Sequence, residues 1–314
     1  MGRSSVHSGG YGRLGVILAA FLISCGGGGG DSPPAESGAP VDGSVSSADG
    51  VPIYYHAEGK GDPALVFVHC WSCDSTYWEA QVRHFAPRHR VVTIDLGGHG
   101  RSGLNRAEWT IAAFARDVEA VVRKLDLKRI VLLGHSMGGP VVLEAARLMP
   151  ERVVALLPVD TIHDAEAHVD DAEMRGFLEA LENDFRGTTD PFVRGMFPEK
   201  ADPALVDRIA RDMASAPPEV ALGALRSGIS YDPRESLKAL KISIHAINSE
   251  KYPLKLEVNR RYAPQFQVTV LPGTGHFPML EATAEFNRAT EEALAALPSG
   301  SPPAHAAAAA GDAR

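Results

Sequence analysis

The chain has 314 residues, 45% of them hydrophobic and 22% charged, which suits a single globular core with or without a covering lid. The formal net charge is −8 and no basic stripe is present, so nucleic acid is excluded as an expected partner. No run of about 18 or more apolar residues occurs, so no mature membrane-spanning helix is expected.

Taken in chain order, the first segment reads as a leader. Arg3 and Arg13 flank its start, and Leu14 to Ile23 form a short apolar run that closes on Leu22-Ile23-Ser24-Cys25. A secretory signal over residues 1–25 is expected. Glycines 26–30 and Asp31-Ser32-Pro33-Pro34 follow, and residues 26–43 read as a flexible linker.

A folded domain is expected over residues 44–297. Ser44–Ser47 and Ile53–Ala57 bracket the turn signal Asp49-Gly50 and read as two short strands. Leu65–Val68 is a continuous apolar run, as a strand covered on both faces requires. Thr76–Phe85 reads as a helix stopped by Pro87, and Val91–Ile94 as a strand. The turn Asp95–Ser102 follows, with Asp95 expected to bond backbone amides. Ile111–Leu125 carries apolar residues at helical spacing. Strands Ile130–Leu133 and Val153–Val159 flank a helix over 140–148. Alternating strands and helices of this kind imply an α/β fold: a mostly parallel, twisted sheet with helices on both faces.

The rhythm breaks between about 161 and 232. Helical stretches are expected at Glu173–Phe185 and Pro203–Ala214, with turns at Asp190-Pro191 and Pro217-Pro218. Strands resume at Ile242–Ile247 and Val268–Leu271, with helices at Leu256–Tyr262 and Thr283–Leu297. Residues 298–314 are low-complexity and expected to be disordered.

The chemistry centres on Gly134-His135-Ser136-Met137-Gly138-Gly139, a G-x-S-x-G motif between an apolar strand and a helix. Small residues at 134 and 138 permit a sharp bend that lifts the Ser136 hydroxyl above the sheet. The Met137 N–H, at a helix N-terminus, would then face the position where an oxyanion forms. No phosphate-cradling or dinucleotide signature occurs, so no nucleotide cofactor is expected. No second Cys or His pair stands at ligand spacing, so no metal is expected either.

With His69-Cys70-Trp71, Asp95–Ser102, Gly134–Gly139 and Gly275-His276-Phe277-Pro278 in this order, the chain resembles the α/β-hydrolases from about Val45 to Ala296. The resemblance implies an α/β-hydrolase fold with a helical cap over 161–232. It implies Ser136 as nucleophile, His276 as general base, and the amides of Met137 and Trp71 as oxyanion hole. Cys70 departs from the family's usual glycine, which puts the shape of that loop in question. The family's orienting acid occupies either of two places, and both stay open: Glu250, taken first, in the loop after Ile242–Ile247, and Asp160, at the end of Val153–Val159. Asp164 ranks third, as a helix start.

Of the 12 histidines, His135 is expected to point away from the site, and His69 and His99 to serve loop backbones. His163 and His168 are expected to be solvated in the cap. The end of the leader resembles the lipobox of bacterial lipoproteins, which implies lipid attachment at Cys25 and an exported protein held at the cell envelope, periplasmic or surface. Cys70 and Cys73 remain as Cys-Trp-Ser-Cys, either a disulfide pinning the oxyanion loop or two buried thiols.

The expected function is a serine hydrolase cleaving a small carboxylic ester through an acyl-enzyme, with amide, lactone or thioester substrates also open. The rival is a receptor or scavenger that holds a small ligand on a hydrolase scaffold with little turnover. Oligomeric state is not readable.

Overall fold

A computed structural model describes residues 38–167 and 171–298. The expected signal segment with Cys25, most of the expected linker, His168 and the residues beyond 298 lie outside the described residues. Eight strands form one sheet: β1 (Val41–Ser46), β2 (Pro52–Glu58), β3 (Ala64–Val68), β4 (Val91–Ile94), β5 (Ile130–His135), β6 (Val153–Val159), β7 (Ser243–Ser249) and β8 (Phe266–Leu271). Their order is β1-β2-β4-β3-β5-β6-β7-β8. The β1 and β2 strands pair antiparallel at one edge, and all pairs from β4/β3 to β7/β8 are parallel.

Burial explains the strand composition. Every residue of β3, β4 and β5 is buried, because helices cover both faces and no polar side chain has water to reach. At the edge, β1 alternates half-buried and exposed positions. It starts at Val41, inside the expected linker, and Val41 pairs with Ala57 of β2. The folded domain therefore begins three residues earlier than the sequence pattern indicates, because a half-exposed edge strand leaves little hydrophobic signal.

Between β3 and β4, a 3-10 turn at Ser75–Trp78 leads into α1 (Glu79–Phe85). The Asp74 side chain caps the turn on the Thr76 N–H. After β4 comes α2 (Ile111–Lys124), capped by the Thr110 hydroxyl on the Ala113 N–H, with Ile111, Phe114, Val118, Val121 and Val122 buried. After β5 comes α3 (Gly138–Leu148).

The segment between β6 and β7 holds α4 (Asp171–Asn183), α5 (Phe185–Arg194), α6 (Pro203–Met213), α7 (Pro218–Ile229) and α8 (Arg234–Ala239). Two of these correct the sequence expectation. Asp190-Pro191 is no turn but the interior of α5, whose lost N–H bond is offset by burial of Phe185, Thr189 and Val193. Pro217-Pro218 opens α7, with Pro218 in the first turn, where a helix has no N–H bond to lose. The chain ends with α9 (Leu256–Tyr262), α10 (Pro278–Glu281) and α11 (Thr283–Ala295). Among the described residues no helix is long and apolar enough to cross a membrane. The residues following β5, β6 and β8 meet at the carboxyl edge of the parallel strands, where open α/β sheets hold their ligands.

Candidate active site

The strand β5 ends at His135, and the next residue, Ser136, takes the left-handed conformation with φ 51°. Such a φ is unfavourable for a residue with a Cβ, so the surroundings must enforce it. Its N–H donates to the Val159 carbonyl at 2.9 Å and its carbonyl accepts from Gly139 at 2.8 Å. A Cβ on Gly134 would strike the Gly138 carbonyl, and one on Gly138 would lie 2.8 Å from the Val68 and His69 carbonyls. The two glycines thus allow the turn to close, leaving Ser136 half-buried at its apex.

One strand over, β6 ends in a second left-handed residue, Asp160, with φ 45°. Its side chain is fully buried. The Oδ2 atom accepts from Nδ1 of His276 at 2.6 Å. The Oδ1 atom accepts from the Ser249 N–H at 2.7 Å and lies 3.3 Å from Nε2 of His163. Burial alone would raise the Asp160 pKa. The bonds from His163 and His276, with the charge of His276 and the Ser249 amide, outweigh it and hold the carboxyl well below the ordinary carboxylate range. With Nδ1–H committed to Asp160, the neutral His276 ring carries its lone pair on Nε2.

The structure therefore brings His276 to Asp160 and not to Glu250. Glu250 follows β7 on the exposed side, and its Oε2 accepts from the Gly273 N–H in the turn after β8. The left-handed backbone at 160 turns the Asp160 carboxyl toward the neighbouring loops. Glu250, without such a turn, faces outward. Asp164 caps Glu166 and pairs with Lys255 at 2.8 Å.

Four contacts fix the loop that carries His276. Glu281 accepts from both flanking amides, Gly275 at 2.8 Å and Phe277 at 2.9 Å. The His276 N–H donates to the Met196 carbonyl of the cap at 3.0 Å. From below, Nε2–H of His135 donates to the His276 carbonyl at 2.6 Å. Burial, followed by the neighbouring His276, pushes the His135 pKa down to about 3, so this ring is neutral near pH 7. No hydrogen bond joins the Ser136 hydroxyl to His276 among the described residues. His135, adjacent to Ser136, links the two loops.

Neither Trp71 nor Met137 donates its amide to another protein group among the described residues, so both N–H groups are available. Trp71 is anchored by its indole N–H on the Ala221 carbonyl of α7 at 2.7 Å. Cys70 and Cys73 form a disulfide around it, with Cα atoms 5.4 Å apart. The left-handed residue of this loop is Ser72, φ 55°, not Cys70, so the missing glycine introduces no backbone strain at position 70. His69 accepts the Leu96 N–H on Nε2 at 3.0 Å, which leaves Nδ1–H to donate to the Cys70 carbonyl at 2.8 Å. His99 lies tilted against His69 with ring centres 4.9 Å apart and bonds the Gly97 carbonyl. Among the described residues no group of three or more His, Cys, Asp or Glu side chains could hold a metal.

The sequence reading missed His135, His163, Glu281 and Met196. His163 is not solvated in the cap but lies against the Asp160 carboxylate. Its place three residues after a candidate acid was the available signal. Glu281, five residues after His276, had a similar one. Met196 acts through its carbonyl and leaves no trace in side-chain chemistry.

The model of the alpha/beta hydrolase family matches residues 65–289. The chain is 27% identical over 252 residues to a pimeloyl-[acyl-carrier protein] methyl ester esterase of Yersinia enterocolitica, covering 75% of this chain and 95% of that protein. It is 28% identical over 255 residues to the dihydrolipoyllysine-residue acetyltransferase component of the acetoin cleaving system of Pseudomonas putida. That match spans 75% of this chain but 64% of the longer relative. Among solved structures, a thermophilic esterase from Thermogutta terrifontis superposes with a TM-score of 0.69 at 27% identity, covering 81% of this chain and 98% of that one. An esterase from Exiguobacterium antarcticum gives 0.73 at 19% identity, with 80% and 98% covered, a likeness of fold. With a bent serine turn on a parallel sheet and a family match over most of its length, the chain belongs to the alpha/beta hydrolase family.

Proposed function

We propose that the protein is a serine hydrolase that cleaves a small carboxylic ester through an acyl-enzyme. The observation that carries this reading is the 2.6 Å contact of His276 Nδ1 with Asp160, on a loop bonded to the residue beside Ser136. Ser136 Oγ attacks the ester carbonyl carbon while its proton passes to His276 Nε2. Asp160, ionised and fully buried, stabilises the imidazolium without taking its proton. The Trp71 and Met137 amides receive the oxyanion. His276 then returns the proton to the departing alkoxide, and water attacks the acyl-enzyme with His276 again as base. Relatives named as esterases support the ester bond, and the related acetyltransferase supports acyl transfer as the underlying step.

The test is hydrolysis of short-chain p-nitrophenyl esters and labelling by a fluorophosphonate. The parent should label at Ser136 and turn over. Ser136→Ala should lose roughly 10⁶-fold in kcat, the scale of a lost serine nucleophile. Turnover by Ser136→Ala at the parent rate would overturn the assignment, and a folded parent with an unreactive serine would favour ligand binding. We further propose export with lipid attachment at Cys25. Radiolabelled palmitate should enter the parent and not Cys25→Ala, and equal labelling of both would refute the anchor.

A further inference from the structure

Asp160 has two imidazoles on one carboxylate. His276 occupies Oδ2 and His163 faces Oδ1, and the Tyr252 ring stands edge-on to both, with ring centres 5.4 Å from His163 and 5.8 Å from His276. The segment that brings His163 back to Asp160 contains two left-handed residues, Asp160 and Ile162 (φ 53°). It is tied down by the Lys255 N–H on the His163 carbonyl at 2.8 Å and by Asn259 on the Ile162 carbonyl at 2.6 Å. Backbone in this region is unfavourable for an isoleucine, and nothing about a solvated cap histidine would require it. We propose that His163 is a positioning residue: its ring holds the second oxygen of Asp160, and the Asp160–His276 pair reads its charge.

The physical case is a count of charges. In the transition state His276 becomes an imidazolium on Asp160. If His163 is neutral, one cation faces one anion. If His163 already carries a second proton, two cations share one buried carboxylate, and the second is disfavoured in a poorly screened site. Activity then requires both rings to be neutral. Among the described residues, the charged or titratable groups near His163 are Asp164 of its own turn, Glu166 three residues on, Tyr252 edge-on to its ring and Lys255, whose N–H bonds its carbonyl. Asp164 pairs with Lys255 and Glu166 with Arg261, which leaves Asp160 as the carboxylate His163 addresses.

This inference rests on the ester-hydrolase reading, and the experiment separates the two. The kcat/KM of the full chain on a short p-nitrophenyl ester is measured against pH for the parent, His163→Gln and His163→Ala. Glutamine keeps an N–H donor but cannot take a proton. The acid limb of the parent should steepen from a slope of about one to about two, while that of His163→Gln stays at about one with its neutral-pH rate within about three-fold. His163→Ala should lose about ten-fold in kcat with KM little changed, the scale of one hydrogen bond to a charged group. Superimposable acid limbs for the parent and His163→Gln would overturn the proposal. So would parent kcat in His163→Ala, with folding of each variant checked by circular dichroism. Failure of the underlying reading would show elsewhere, as undiminished turnover by Ser136→Ala.

Discussion

Asp95 and Asp160 occupy matching places and behave oppositely. Each follows an apolar strand, β4 or β6, and each is 1% exposed. Asp95 accepts from the Ser75 and Arg101 amides at 2.7 and 2.8 Å, groups that bear no charge. Burial dominates there and pushes its carboxyl up. Asp160 accepts from one amide and faces two imidazoles, and its carboxyl is held down despite the same burial. Depth does not separate a carboxylate bonded to amides from one paired with imidazoles. The difference lies in whether its partners can carry a positive charge during a reaction.

Neutralising each in turn should separate the two carboxylates most strongly. Asp160→Asn should lower kcat by about 10⁴-fold, since an amide leaves His276 in the wrong tautomer, while esters still bind. Asp95→Asn should keep kcat within a few-fold and lower stability by about 1–3 kcal/mol, because the amide cannot accept from both N–H groups as a carboxylate does. Steady-state kinetics and urea unfolding measure the pair. Equal kinetic losses would erase the distinction.

The two should also respond oppositely to acid. A carboxyl depressed in the folded state, as at Asp160, stabilises the fold above its unfolded pKa of about 3.9, and that contribution is lost as pH falls through the folded value. A raised carboxyl, as at Asp95, contributes below about 3.9, and its contribution is lost as pH rises through the folded value. Urea midpoints at a series of acid pH values should therefore show the stability gap between parent and Asp160→Asn closing as pH falls, and the gap for Asp95→Asn opening. The smallest expected effect is at Glu250. Glu250→Gln should change kcat/KM by less than about three-fold, since its exposed carboxylate serves the Gly273 turn. A loss near that of Asp160→Asn would show that Glu250 reaches the base in solution.

Much of this was legible in the chain. The buried strands announced themselves as unbroken apolar runs, and Ser136 by its glycines, because the turn it needs tolerates few residues. The acid was not, because each candidate follows directly on a strand and what separates them is a backbone conformation that the residues do not display. A left-handed aspartate looks like any other until its φ is known. The cap was half-read. Pro191 signals a turn in isolation, and only packing of Phe185 and Val193 keeps it within a helix. His135 is expected from the sequence to point away from the site, yet its ring centre lies 4.9 Å from that of His276. Its ring still ends on the His276 carbonyl, a contact spanning 141 residues of sequence.

That contact bears on how such a protein diversifies. The bond from His135 ties the serine and histidine loops together from the sheet side, and no helix between β6 and β7 takes part in it. The segment between β6 and β7 adds further braces, the Met196 carbonyl on His276, the Ala221 carbonyl on Trp71 and His163 on Asp160. Substitutions of exposed side chains in α4–α8 should thus leave the His135–His276 bond intact.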